Sequence, residues 1–176
     1  EDGCERTYSP HWAEEKTRLP RVNWQRRLEK EQERMKFEKL EDGTFALIFD
    51  KGDEFIETLT AFAREKDFGG SHFTAIGAFR DVMLGYFDRE KKKYRQIPIS
   101  EQVEVLSLVG DIALKDKTPQ VHAHVVVGKA DGTAHGGHIL KAHVWPTLEV
   151  VLTESPRHLR RKMDAETGLA LIDLDA

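Results

Sequence analysis

Apolar and polar positions alternate with a period near two along most of the chain beyond residue 35, and the alternation is broken once by a helical period. Lys36 to Leu40 and Thr44 to Phe49 read as strands about Asp42-Gly43, a hairpin signal. At Asp53 the period changes. Phe55, Ile56, Leu59, Phe62 and Ala63 fall on one helical face, with Asp53 as the expected N-cap and Phe68-Gly69-Gly70 as the stop. Such a stripe is explained by packing on a sheet.

His72 to Phe79, Val82 to Asp88, Tyr94 to Ile99, Val103 to Leu114, Val121 to Lys129 and Ala142 to Thr153 then carry β-type composition, with turn residues between most of them. Pro146 places an edge or a bulge inside the last of these. Pro156 to Met163 reads as a short helix or turn, and Leu169 to Leu174 alternates as a final strand. The sum is an α+β fold: a mostly antiparallel, curled sheet with one main flanking helix and shorter helical segments.

The stretch PQVHAHVVVGKADGTAHGGHILKAHVWPTLEVV, Pro119 to Val151, holds His122, His124, His135, His138 and His143, five of the eight histidines. On a strand, His122 and His124 share a face with Cβ atoms about 7 Å apart, a spacing at which two imidazoles can grip one ion. A plain two-residue turn at Asp131-Gly132 sets His124 opposite Ile139 and puts His138 on the other face. A third ligand at His138 therefore needs a register break, and Gly136-Gly137 is where the sequence offers one. His135 has the right parity in the plain hairpin but stands about 13 Å up the strand from His124, which makes it the weaker candidate. The bland alternative is a solvated or hydrogen-bonded histidine face. For three imidazoles the first metal is zinc, or another divalent transition metal, with a fourth position left open.

Composition narrows the function classes. The chain has 176 residues, a one-domain length able to bury a core. Its only cysteine, Cys4, leaves no internal disulfide and suggests a reducing, cytoplasmic compartment. No apolar run approaches the ~20 residues needed to span a bilayer, so no membrane is expected among its partners. Residues 1–34 carry balanced charge, few aliphatics, Pro10 and Pro20, and read as a charged leader, flexible or docked, with a thin helical stripe of Trp24, Leu28 and Met35 over Val22 to Lys36. The domain is placed at 35–176. It carries the whole net charge of -4, which disfavours a polyanion partner.

Three runs carry a resemblance: GAFRDVMLGYFDREKKKY, then VEVLSLVGDIALKDKTPQVHAHVVVGKADGTAHGGHILKAHVWPTLEVVL, and RRKMDAETGLALIDL. Together they resemble the plant and prokaryote conserved (PPC) domain, in its prokaryotic stand-alone form, over Phe37 to Leu174. The most specific elements are Pro119-x-x-His122-x-His124, Gly136-Gly137-His138 and Glu104 to Gly110. The resemblance implies an antiparallel sheet with flanking helices, a homotrimer, and a metal held by His122, His124 and His138. It also implies an architecture similar to acetolactate decarboxylase, a zinc enzyme. In plants PPC domains accompany AT-hooks in DNA-binding proteins, and this sequence has no Arg-Gly-Arg core of a hook.

Three functions follow as expectations. The first is a DNA-associated or transcription-related module. The basic clusters Lys91, Lys92, Lys93, Arg95 and Arg157, Arg160, Arg161, Lys162 read as solvated turn or helix faces, which gives DNA weak support. The second is a metal-dependent enzyme or small-molecule binder, with Glu104 and Glu149 as candidate acid/base partners and His143 as a group supporting the ligands. The third is an assembly unit whose metal clamps a trimer, within one subunit or between subunits. Ser71-His72 lacks an orienting acid, Gly69-Gly70 lacks phosphate-loop spacing, and Phe73, Phe79, Tyr86 and Phe87 are spread as packing requires.

Overall fold

The structure is a computed structural model and describes residues 35–155 and 157–175. The leader at 1–34 and the helix expected from Val22 lie outside the described residues, and Lys36 opens a strand. The elements run β1 (Lys36–Glu41), β2 (Thr44–Phe49), α1 (Phe55–Glu65), β3 (Gly70–Asp88), β4 (Lys93–Ile99), β5 (Val103–Lys115), β6 (Thr118–Gly128), β7 (Ala134–Glu154), β8 (Arg160–Met163) and β9 (Ala170–Asp173).

The strand content expected from alternation is present, and three details differ. His72 to Phe79 and Val82 to Asp88 are one long strand, β3, because register shifts between Gly77 and Asp81 absorb the polar Arg80-Asp81 interruption without ending the ladder. Arg160 to Met163 is a strand paired in parallel with β5, so the short helix or turn expected there is corrected. Among the described residues α1 is the one helix, and the further helical segments of the expected fold are absent. The N-cap of α1 is Glu54, whose carboxylate accepts from Glu57 N at 2.7 Å. Asp53 instead accepts from Met35 N and Asp50 N, tying the start of β1 to the loop before the helix.

The sheet curls until it meets itself. β3 pairs with β5, β5 with β6, β6 with β7, and β7 with β3, a closed circuit to which β2, β4 and β8 are added at the sides. Its core side is rich in phenylalanine: Phe49, Phe55, Phe73 and Phe79 are fully enclosed, and Phe45, Phe62 and Phe68 pack ring to ring beside them. Burying each such side chain stabilises the fold by about 1.5–3 kcal/mol.

The helix presses Phe55, Leu59, Phe62 and Ala63 into this core and lies against β6 and β7. On β6 the odd positions Val121, Ala123, Val125 and Val127 are buried, so His122, His124 and Val126 emerge on the opposite face. Slipping β6 by one residue would bury both imidazoles and expose four apolar side chains, so packing fixes the face on which the histidines stand. Among the described residues no helix is long and apolar enough to cross a membrane.

Candidate metal centre

The β6–β7 hairpin decides whether a third imidazole can join the first two. Its register sets His124 opposite His138 and Gly128 opposite Ala134, with no shift between them. The two-residue turn is therefore not formed. Lys129 N donates to Thr133 O and Gly132 N to Lys129 O, leaving a three-residue loop of Ala130, Asp131 and Gly132. Gly132 takes the left-handed φ that such a loop demands, at +80°, and Asp131 accepts from both Thr133 N and Thr133 Oγ1. The register break expected at Gly136-Gly137 is thus made in the turn. Both glycines continue a regular ladder, and neither has a positive φ. The same register reverses His135, which pairs with Val127 on the other face from His124 and drops out as a ligand candidate.

Ligand nitrogens of His122, His124 and His138 lie within 4.8 Å of one another. The Nε2 atoms of His122 and His124 are 3.2 Å apart, and ring centroids are separated by 5.1 to 5.4 Å. Two imidazole nitrogens on one tetrahedral zinc stand about 3.3 Å apart, given Zn–N bonds near 2.0–2.1 Å. The donor set therefore fits a small transition-metal ion. A second observation agrees: His138 Nδ1 is buried and has no hydrogen-bond partner, a state that costs free energy until something binds the group.

Burial and mutual repulsion favour the neutral form of two of these rings, His124 and His138. Burial, then the neighbouring His122 and His124, pushes His138 down to about 4. Burial and His122 likewise lower His124. Neutral imidazole is the ligating form. Tyr94, reaching from β4, stacks on His138 at 4.7 Å with the planes 23° apart. Asp111 on β5 is the cross-strand neighbour of His122, with Oδ2 3.7 Å from His122 Nδ1, and it also binds the guanidinium of Arg161. Burial raises the Asp111 carboxyl, but His122 and Arg161 outweigh it and leave the group lowered.

The sequence profile of the plants and prokaryotes conserved (PCC, also written PPC) domain matches residues 37–156. The chain belongs to this family. Among solved PCC-like structures, a metal-containing protein from Archaeoglobus fulgidus is 38% identical over 78% of this chain and 96% of that one, with a TM-score of 0.69. A PPC protein from Pyrococcus horikoshii is 31% identical over 79% and 94%, with a TM-score of 0.70. A candidate DNA-binding protein from Bacteroides thetaiotaomicron is 25% identical over 81% and 99%, with a TM-score of 0.77. The chain also matches the bifunctional protein GlmU of two Synechococcus strains at 28% identity over 120 residues, 66% of this chain, and spans 18% of the length of these curated relatives.

The other residues singled out from sequence stand apart from the PCC-domain histidine cluster. His143 Nδ1 is 2.6 Å from Asp81 Oδ1, a pair of its own beside the start of α1. Glu149 is exposed opposite Ile48 and Ile76, and Glu104 is exposed opposite Ala78 and Gly128. Of the second basic cluster, Arg161 is turned inward against Asp111, contrary to the solvated face expected of it. Sequence reasoning missed Asp111, Arg161 and Tyr94. Each reaches the histidines through a cross-strand register that one strand's pattern does not contain; the only hint was an acid placed among the aliphatics of β5.

Proposed function

We propose that this PCC domain is a metal-binding module in which His122, His124 and His138 hold one divalent transition ion, zinc in the first instance, on the face of a homotrimeric assembly. The observation that carries the reading is the meeting of three imidazoles with one nitrogen orphaned and buried. The name of the Archaeoglobus relative, a metal-containing protein, supports it. Such an ion supplies an open Lewis-acid position suited to a small oxygen-bearing ligand. The chain's own residues orient the rings, and burial favours the neutral form of His124 and His138. No carboxylate besides Asp111 is drawn to the cluster among the described residues, so the reading is a metal-centred ligand binder, with catalysis left to whatever group a substrate brings.

Elemental analysis of protein purified without chelator tests it. One ion per chain is expected, with loss on His138→Ala; less than about a tenth of an ion, with no uptake of added zinc, refutes it.

A second reading, a DNA-associated module, is favoured by the names of the relatives from Bacteroides thetaiotaomicron and from Ralstonia eutropha, both candidate DNA-binding proteins. The net charge of -4 opposes it, and the inward Arg161 removes a cation from one of the two basic clusters. Retention on duplex DNA at low salt, released as salt rises, would support this reading. No retention at low salt ends it.

A further inference from the structure

We propose that Asp111 and Arg161 are positioning residues of the metal centre, so that the β8–β9 hairpin is a working part of the site and more than a trailing edge of the sheet. The inference rests on the three-histidine reading and adds a device that controls it.

An imidazole has two nitrogens on different edges of the ring. On His122, Nε2 faces His124 Nε2 at 3.2 Å, while Nδ1 faces the Asp111 carboxylate at 3.7 Å. A carboxylate on the side of the far nitrogen favours, through its charge, the tautomer that carries the proton there, leaving the near nitrogen's lone pair for the metal. Asp111 is itself held. Its other oxygen is bound by Arg161 Nη2, and Arg161 Nη1 donates to Ala170 O at 3.2 Å.

The origin of that guanidinium is what makes the pair informative. Arg161 lies on β8, which joins β5 in parallel through Leu114 to Arg160 and Lys115 to Arg161, with Leu114 N donating to Leu159 O. β9 closes over β8 and supplies the carbonyl of Ala170. The Arg161 side chain is only 6% exposed, unlike Lys162 beside it at 75%. Burying a guanidinium is costly unless it is paired, and a hairpin that merely covered a sheet edge would be served by an aliphatic residue there. The charge is instead aimed at a carboxylate that stands 3.7 Å from a candidate ligand. Both strands lie C-terminal to the residues that match the family profile, 37–156.

The test is zinc affinity of the full chain by competition with a chromogenic chelator, together with the visible spectrum of the cobalt(II) form, for the wild type, Asp111→Asn, Arg161→Lys and His122→Ala. Asp111→Asn keeps the shape and removes the charge; a 10- to 100-fold weaker affinity and an altered cobalt spectrum are expected. Arg161→Lys keeps the charge and loses the fork, and a smaller loss in the same direction is expected. Thermal melting of the chelated variants separates folding from coordination: if Asp111→Asn melts non-cooperatively, Arg161→Lys decides alone. Wild-type zinc binding with both variants equal to it in affinity and spectrum overturns the proposal and leaves the pair a brace for the hairpin. A wild type that takes up no zinc, or a His122→Ala variant that binds as tightly as the wild type, overturns the three-histidine reading itself.

Discussion

His138 is the residue on which the centre is most sensitive to solvent conditions, because the charged form of its ring is disfavoured by burial and by two neighbouring imidazoles. An unfolded chain protonates this histidine near its ordinary 6.5, whereas the folded chain holds it neutral down to about 4. Between those values the unfolded state binds the extra proton, so the stability of metal-free protein must fall as pH drops from 6.5 towards 4 and lose no more on this account below that. Denaturant midpoints across this window, compared with His138→Gln, check it: the variant should show a shallower slope, and parallel curves would contradict the assignment. Tyr94 makes a second residue-scale case. Its ring crosses to His138 over Gly85, where a Cβ would stand 2.8 Å from Tyr94 Cδ1 and 3.1 Å from Leu140 Cγ. Gly85→Ala should push the ring off its stack and weaken zinc binding by several-fold, in line with the ~0.5–1.5 kcal/mol of a ring contact. Unchanged affinity would show the stack to be incidental.

At the scale of elements, α1 and β6 carry the connection between core packing and chemistry. The helix is anchored twice by Glu54, whose Oε2 accepts from Glu57 N at 2.7 Å and whose Oε1 accepts from Ala142 N on β7 at 2.9 Å. Glu54→Ala therefore removes a cap and a helix-to-sheet tie together, and a loss of about 1–2 kcal/mol is expected, read as a lower denaturant midpoint with an unchanged slope. The helix itself was legible from sequence, since Phe55, Leu59, Phe62 and Ala63 form an unmistakable face and all four are buried. Its cap was not, because Asp53 and Glu54 are both acids before the first turn, and only three-dimensional contacts with Met35 and Ala142 distinguish them. The strand β8 was hidden for a related reason. Its four residues, Arg160 to Met163, are mostly charged, and what makes them a strand is the free edge of β5 about 46 residues earlier.

For the molecule as a whole, the histidine cluster was legible as a set and illegible as a mechanism of folding: His122, His124 and His138 meet, but through the three-residue loop ending at Gly132 and without help from Gly136-Gly137. Parity along one strand can be counted from sequence, whereas loop length at a turn is settled by the fit of two strands to their other neighbours, here β5 and β3. The same cross-strand row that joins His138 to His124 continues through Val109, Thr74, Val151 and Ala46. On that face Val109, Val151, Ile76 and Val126 stand 52%, 50%, 60% and 43% exposed, an apolar run with no cover among the described residues. Association of copies through it is the economical explanation for the proposed trimer. Val151→Glu places a carboxylate in the middle of this row without touching the core side of β7, so the isolated chain should fold as before. Sedimentation should then report the 20.2 kDa chain mass in place of three times that value. Because all three imidazoles come from one chain, the dissociated variant should still take up one zinc ion per chain. A variant that is monomeric and metal-free would mean that neighbouring subunits complete the centre, and a variant that remains trimeric would move the interface to another face.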